Sequence, residues 1–427
     1  MSDCICPLKQ AASDACRSLA WIDSKQRLTF QELDSQTDKI VLQLQSIGIQ
    51  KGSLIATLLP PSDHLICLFL AAWRLGASIC PLNLRLPSAQ IEKQLKDLSP
   101  HLFISSFPFN QPLKNHSSLP ISQSLFLFTS GSTGLPKIAV LSLSNLIANA
   151  LGAILELNLE AQDRWLLSLP LYHVGGIGIV MRSILARATI VLNEQDTEIT
   201  HLSWVPTQLY RATPIYKKLR CLLLGGAPVS NFPSHLPCFI SYGLTEMGSL
   251  VAASYKPSEI SCGHPLKMRE ISIASDGEIL VRGDCLFQGY WENQKLSRPF
   301  DLDGWFRTGD IGKYDSYKGL TVIGRKDWQF ISGGENIQPE EIENALLQID
   351  SILEAAVVPT SDPEYGARPV AFIKTSNLQL NRQSIKKFLL DKLPKYKIPT
   401  SLFLVDEIPK KGLKIDRAQL LKDVSHN

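Results

Sequence analysis

The segment Ser124-Leu-Phe-Leu-Phe-Thr-Ser-Gly-Ser-Thr-Gly-Leu-Pro-Lys137 concentrates groups that bind phosphate. Gly131 and Gly134 let backbone amides approach an anion with no Cβ between them, and a run of turned amides forms a concave nest for phosphate oxygens. Thr129, Ser130, Ser132 and Thr133 add hydroxyl donors, and Lys137 adds a mobile positive charge. The lysine does not follow the second glycine directly, so this is not the spacing of a P-loop nucleoside triphosphatase, although triphosphate binding is compatible with it. A flexible Ser/Gly connector has the same composition. Against that reading, residues 125–128 form an apolar run suited to a buried strand, and Pro136-Lys137 closes the loop.

Other groups could complete a nucleotide site. Leu224-Gly225-Gly226-Ala227 follows an apolar run and offers bare backbone to a flat ring, although a Gly-Gly pair is most often only a turn. Tyr242-Gly243-Leu244-Thr245-Glu246 follows another such run, and Glu246 supplies a carboxylate of the kind magnesium takes alongside a triphosphate and water. A solitary glutamate is otherwise a solvated side chain. Asp310, at the end of Gly304-Trp-Phe-Arg-Thr-Gly-Asp, is a turn-held carboxylate able to accept both hydroxyls of a ribose, or simply to close an Asx turn.

His173 sits in Pro-Leu-Tyr-His-Val-Gly-Gly, between a strand end and a glycine pair, where an imidazole can touch a carboxylate. Arg182 follows on the same stretch; it could pair with a second substrate carboxylate, or be an ordinary surface arginine on a helix. Ser332-Gly333-Gly334-Glu couples a glycine loop to a helix with Pro339 at its start and acids in its first turn. Pro409-Lys410-Lys411-Gly-Leu-Lys414-Ile-Asp-Arg closes the chain with a basic loop.

The elements that must position these groups alternate. Thr29 and Glu32 form a capping-box signature opening a helix. Residues 54–59 read as a strand, 63–75 as a helix and 77–81 as a strand, which argues for parallel βαβ units. The pattern continues with a helix over 143–155 and strands over 163–169, 188–192, 202–205 and 220–224. From Cys262 the texture changes to short alternating strands over 270–274, 277–283 and 319–324, a small β-rich subdomain. Beyond Arg325 a compact α+β unit follows, with helices from 339 and over 384–393 and strands over 355–358 and 370–374. Residues 105–122 read as an exposed loop.

A chain of 427 residues with 44% apolar and 19% charged residues divides into more than one unit with ample core. A net charge of +3 is no footprint for nucleic acid or anionic lipid. Nine scattered cysteines form no Cys-x-x-Cys pair, which suggests reduced thiols in a cytoplasmic enzyme. Residues 1–10 lack the apolar core of a signal peptide, and the most lipid-like window, 65–73, is about half the length of a membrane span.

Residues 128–137 resemble the phosphate loop of the adenylate-forming superfamily: acyl-CoA and aryl-CoA synthetases, luciferases and peptide-synthetase adenylation domains. The likeness runs over nearly the whole chain. It implies an α/β fold in which a large N-terminal domain, residues 1–326, carries stacked mixed and parallel sheets with flanking helices and the β-rich subdomain. A small mobile α+β domain, 327–427, would carry the catalytic lysine. By this resemblance the phosphate loop is joined at the ATP site by Gly225, Gly226 and Ala227, and by Tyr242, stacked on adenine, with Gly243 and Leu244. Thr245 contacts the α-phosphate, Glu246 holds Mg²⁺, Asp310 takes the ribose and Arg325 faces the nucleotide. Asp327 is the hinge, and Gly333 and Gly334 line the thiol channel for coenzyme A. His173 stands between acid pocket and nucleotide. Lys414 matches the catalytic lysine, but Leu413 interrupts the usual Gly-Lys pair, so Lys410 and Lys411 stay open as alternatives. Two further departures, Ile138 where glycine is common and Leu143 where histidine is common, bear on the loop's mobility.

The implied activity is an ATP-dependent ligation of a carboxylic acid to coenzyme A through an acyl-adenylate, releasing pyrophosphate and AMP. Its partners are a small acid, ATP and coenzyme A, with no nucleic acid and no membrane insertion; homo-oligomerisation is left open. Val205-Pro-Thr-Gln-Leu-Tyr-Arg, Ser332-Gly-Gly-Glu-Asn-Ile-Gln-Pro-Glu-Glu-Ile-Glu and Gly412-Leu-Lys-Ile narrow the resemblance to one branch of these ligases. A ligase for another aromatic or medium-chain acid is the alternative, and a stand-alone adenylation or nucleotide-binding protein is a more distant one.

Overall fold

The computed structural model describes residues 6–109, 119–129, 136–205, 208–209, 216–226, 235–257, 261–333, 335–377, 380–411 and 414–425. Two large sheets carry the first three-quarters of the chain. In one, the strands Cys238–Leu244, Cys221–Leu224, His201–Trp204, Arg164–Leu166, Thr189–Val191 and Leu19–Ile22 run parallel in that order, with antiparallel strands added at both edges. In the other, Leu102–Ile104, Leu54–Thr57, Ser78–Pro81 and Ser124–Thr129 run parallel; Lys137–Ser142, Gly289–Glu292 and Lys295–Ser297 continue it antiparallel. Short connections and buried apolar strands account for the parallel parts.

Local signals lie where the residues place them. Thr29 accepts from the Glu32 amide at 3.2 Å while the Glu32 carboxylate accepts from the Thr29 amide at 2.8 Å, so both halves of the capping box form and open the helix Phe30–Ser46. Ser62 caps Asp63–Arg74, a helix buried along nearly its whole length. The β-rich region is a four-stranded antiparallel sheet, Arg269–Ile273, Glu278–Gly283, Phe306–Asp315 and Gly319–Arg325.

The strand that follows the phosphate loop, Lys137–Ser142, is one the sequence reading did not name. The Ser124–Thr129 strand does not lead through the loop into a helix; it returns as the antiparallel strand Lys137–Ser142, with Thr129 paired to Lys137. The helix expected over 143–155 follows at Leu143–Glu156, capped by Ser142.

Residues from 337 onward keep cores of their own. Ile337, Ile342, Leu346, Val357, Ile373 and Leu389 form one, and Ala356, Val358, Phe372 and Leu420 another, on opposite faces of the sheet Ile352–Asp362, Gly366–Thr375 and Ser401–Leu404. Alternation along Ile352–Asp362 sends Val357 to one side and Ala356 and Val358 to the other, as a strand's period of two requires. Among the described residues no helix is long and apolar enough to cross a membrane.

Candidate active site

Three of the motifs stand at the carboxyl ends of parallel strands, where open α/β sheets bind their ligands: Thr129, Leu224-Gly225 and Leu244-Thr245. Ser130 to Gly134 and Ala227 lie outside the described residues. At the described rim of the loop, the Thr129 hydroxyl donates to the Lys137 carbonyl at 3.3 Å, and the Lys137 ammonium lies 5.0 Å from the centre of the Tyr290 ring.

Glu246 belongs to the single 3₁₀ turn Thr245–Met247. Its carboxylate accepts from the Tyr290 hydroxyl at 2.7 Å. Burial and the adjoining carboxylate push the Tyr290 phenol up, so it remains a donor. The turn is held from behind: the buried Asn149 amide donates to the Met247 carbonyl at 2.7 Å and to the Leu250 carbonyl at 2.8 Å, and the Phe287 amide donates to the Glu246 carbonyl at 2.8 Å. Tyr290 thus joins the lysine of one sheet to the carboxylate that follows the other.

A second chain of contacts surrounds the ribose candidate. The Tyr242 hydroxyl donates to one Asp310 oxygen at 2.6 Å, and Arg325 donates to the other at 3.0 Å. The same guanidinium reaches the Thr308 carbonyl at 3.0 Å and Asp327 at 3.0 Å. Asp310 and Arg325 are cross-strand partners in the four-stranded sheet, so their meeting follows from register. Tyr242 is buried, and burial together with Asp310 drives its phenol well above the ordinary range.

The glycines have structural duties as well. A Cβ at Gly225 would stand 2.5 Å from the Ser241 hydroxyl, and one at Gly243 would stand 2.3 Å from the Ser249 carbonyl oxygen. The neighbouring strand's backbone alone therefore requires glycine at position 243, whereas at position 225 a Cβ would displace the Ser241 hydroxyl.

His173 occupies the N-cap position of the helix Val174–Ala186 and is exposed, its ring 4.7 Å from that of Tyr172. Nine residues along that helix, Arg182 is only 1% exposed, which overturns the surface-helix reading. Its guanidinium lies 4.6 Å from the Trp165 ring, and its Nε and Nη1 have no hydrogen-bond partner among the described residues. Burial, with Arg269 nearby, pulls its pKa down to about 10. A Cβ on Gly178 would stand 3.3 Å from Nη1 and 3.2 Å from the Ser249 hydroxyl, so Arg182 reaches toward the strand that follows Glu246.

In the last quarter of the chain, Gly333 takes φ +57°, donates its amide to the Tyr365 carbonyl at 2.9 Å, and has no room for a Cβ beside the Tyr365 ring. Gly334 lies outside the described residues. Lys410–Lys411 and Lys414–Ile415 form a two-stranded hairpin in which Lys411 pairs with Lys414. Lys410 is engaged by Glu354 at 2.7 Å. Next to this hairpin Arg417 grips both oxygens of Glu343, at 2.7 and 2.8 Å.

Sequence reasoning did not single out Tyr290, Asn149 or Glu343. Tyr290 sits in a Gly-Tyr-Trp string, and only pairing across the sheet shows where its hydroxyl goes.

A model of the AMP-binding enzyme family matches residues 8–125 and 116–291, and a model of the AMP-binding enzyme C-terminal domain matches 341–413. The chain belongs to the AMP-binding enzyme family. Among curated members of that family, the 2-succinylbenzoate–CoA ligase of Haemophilus influenzae is 34% identical over 92% of each chain. Solved structures of o-succinylbenzoate CoA synthetase from Bacillus subtilis are 28% identical. In complex with the acyl-adenylate intermediate OSB-AMP it superposes with a TM-score of 0.84 over 97% of both chains. The complex with ATP and magnesium ion gives 0.84 over 98% of this chain and 99% of that one. A double mutant of the same enzyme bound with the product analogue OSB-NCoA gives 0.68 over 98% of both.

Proposed function

We propose that the chain is an ATP-dependent acid–CoA ligase that converts 2-succinylbenzoate to 2-succinylbenzoyl-CoA for menaquinone biosynthesis. The observation that carries the ligase reading is the meeting of Lys137 and Glu246 on Tyr290, at the ends of strands from two sheets, with the Tyr242–Asp310–Arg325 cluster bonded alongside. One side supplies groups for a triphosphate and the other a carboxylate for a ribose.

The residues fit magnesium bound together with a nucleotide. Glu246 offers one carboxylate with a single oxygen bonded to Tyr290, and no group of three or more His, Cys, Asp or Glu side chains able to hold a metal occurs among the described residues. That is the sparse protein contribution magnesium takes when phosphates and water fill its remaining positions. When bound, the ion would neutralise phosphate charge; Glu246 would hold it.

A carboxylate resists thiol attack because its carbonyl is electron-rich and its leaving group poor. In the first step its oxygen attacks the α-phosphorus of ATP and pyrophosphate leaves. Thr245 and the loop hydroxyls orient the phosphates, and Lys414 neutralises charge between carboxylate and phosphate. In the second step the coenzyme A thiol attacks the acyl carbon and AMP leaves. We place the division of the chain at 326/327, with Asp327 as the hinge about which the small domain turns to bring Gly333 and Gly334 to the thiol channel. The separate cores beyond residue 337 and the lower superposition on the OSB-NCoA complex than on the OSB-AMP complex support a two-position domain.

Arg182 favours a dicarboxylic acid. A buried guanidinium with unpaired nitrogens is costly, and an acid with a second carboxylate relieves that cost while its first is adenylated. 2-Succinylbenzoate has two carboxylates; a medium-chain monocarboxylate would leave Arg182 unpaired. Three strings beginning at Val205, Ser332 and Gly412, which resemble those of o-succinylbenzoate–CoA ligases, point the same way. The eight described cysteines form no disulfide with one another, in keeping with a cytoplasmic location. Pyrophosphate release measured across a panel of carboxylic acids tests the substrate: 2-succinylbenzoate gives the highest rate, and no response to it removes this acid.

A further inference from the structure

Neither the phosphate loop nor the metal carboxylate explains why an aromatic residue should stand between them. Tyr290 lies on the strand Gly289–Glu292, opposite Ala139 on Lys137–Ser142. Lys137 is two residues from Ala139, hence on the same face of the sheet and diagonal to Tyr290, within reach of a long side chain. Register alone brings the ammonium over the ring, at 5.0 Å. The ring is held edge-on by Phe287 at 4.9 Å and by Phe306 at 6.5 Å, which aims its hydroxyl out of the sheet at Glu246, 2.7 Å away. Among the described residues no other side chain bonds the Glu246 carboxylate, and no acid pairs with Lys137.

We propose that Tyr290 is a positioning residue for the triphosphate site: its hydroxyl orients the Glu246 carboxylate for magnesium, and its ring holds the Lys137 ammonium in place to meet phosphate oxygens, a contact kept in the complex. The inference rests on the reading of Glu246 and Lys137 as triphosphate groups given above. A carboxylate free to rotate would have to be ordered when the metal arrives, whereas one already hydrogen-bonded has that ordering done. The cation–π contact keeps Lys137 extended without neutralising it, so the ammonium can bond a phosphate oxygen while it stays over the ring.

The two halves separate by mutation. Tyr290→Phe keeps the ring and removes the hydroxyl; Tyr290→Leu removes both. Calorimetric titration with ATP, in the presence of a chelator and then at graded magnesium concentrations, reads each half. For Tyr290→Phe, metal-free ATP binding stays within about twofold of wild type, while the magnesium needed for half-maximal enhancement rises about tenfold, the loss expected for one hydrogen bond to a charged group. Tyr290→Leu additionally weakens metal-free binding about threefold, through loss of the ring face. A Tyr290→Phe variant with wild-type magnesium dependence overturns the proposal, and this arm decides alone if Tyr290→Leu does not fold. Equal losses with and without magnesium in Tyr290→Phe also overturn it, since that is the signature of packing. Wild-type protein that binds no ATP under either condition removes the underlying nucleotide reading instead.

Discussion

The Tyr242 hydroxyl donates to the Asp310 carboxylate at 2.6 Å, tying the strand end proposed to lie beside adenine to the acid proposed to hold the ribose. Arg325 donates to the other Asp310 oxygen at 3.0 Å and, through its second nitrogen, to Asp327, the proposed hinge. The residue proposed for the ribose and the one proposed for the hinge therefore share a guanidinium.

Breaking the first contact without emptying the ring position is possible with Tyr242→Phe. The variant should bind ATP about tenfold more weakly, the loss of one hydrogen bond to a charged group. Asp310→Ala should cost more, because it removes the ribose acceptor and leaves Arg325 without one of its two carboxylates. Fluorescence titration with a ribose-labelled nucleotide and with ATP orders the variants; equal affinities for wild type and Asp310→Ala would contradict the assignment.

For Arg182, stability and activity should move in different directions. Replacing a buried guanidinium whose Nε and Nη1 have no hydrogen-bond partner among the described residues with Met of similar length leaves no orphan charge, so the melting temperature of Arg182→Met should hold or rise. Turnover of a dicarboxylic substrate should fall about a hundredfold, an order appropriate to a lost buried ion pair. Thermal melts and pyrophosphate assays on one preparation check both, and a large drop in melting temperature with unchanged turnover would make Arg182 purely structural.

Lys410 is already committed to Glu354, so it is the weaker candidate for the catalytic cation. Lys414→Ala should lower the rate of adenylation by two to three orders of magnitude, about the size found for single groups that stabilise transition-state charge. Lys410→Ala should lower it only a few-fold, through loss of the hairpin's anchor. Single-turnover formation of acyl-adenylate reports each, and the reverse ranking would move the assignment to Lys410.

A pH effect is built into the contact between Glu343 and Arg417. Burial pushes the Glu343 carboxyl up to about 7, with Glu340 adding to the rise and Arg417 opposing it. An acid raised in the folded state holds its proton more tightly there than when unfolded, from 4.5 up to about 7. Stability from this group is therefore fully present below that window and is lost as pH climbs through it. His201 has the opposite slope, since burial pulls its pKa from 6.5 down to about 4. The difference between wild type and Glu343→Gln isolates the carboxyl. Melts from pH 5 to pH 8 should show wild type losing stability relative to the variant; a constant difference would mean Arg417 holds Glu343 ionised throughout.

What could be read in advance followed from local chemistry. Thr29 and Glu32 announce their helix because a capping box needs only neighbours, and residues 54–81 announce parallel units because buried strands are continuously apolar. The burial of Arg182 was hidden for a different reason. Its helix Val174–Ala186 begins with Gly175, Gly176 and Gly178, which look unfavourable for a helix. Gly176 is there because a Cβ would come within 2.3 Å of the Pro170 carbonyl oxygen, a clash no spacing rule reveals. Tyr290 and Glu343 were likewise invisible, since each acquires its partner through pairing between segments distant in the chain: Glu246 is 44 residues from Tyr290, and Arg417 is 74 from Glu343.

The most direct measurement is mass detection of products after purified protein is mixed with MgATP and 2-succinylbenzoate, first without and then with coenzyme A. The account predicts acyl-adenylate and pyrophosphate in the first mixture, and 2-succinylbenzoyl-CoA with AMP in the second. ATP left intact in both mixtures, or cleaved to ADP and phosphate, would contradict it.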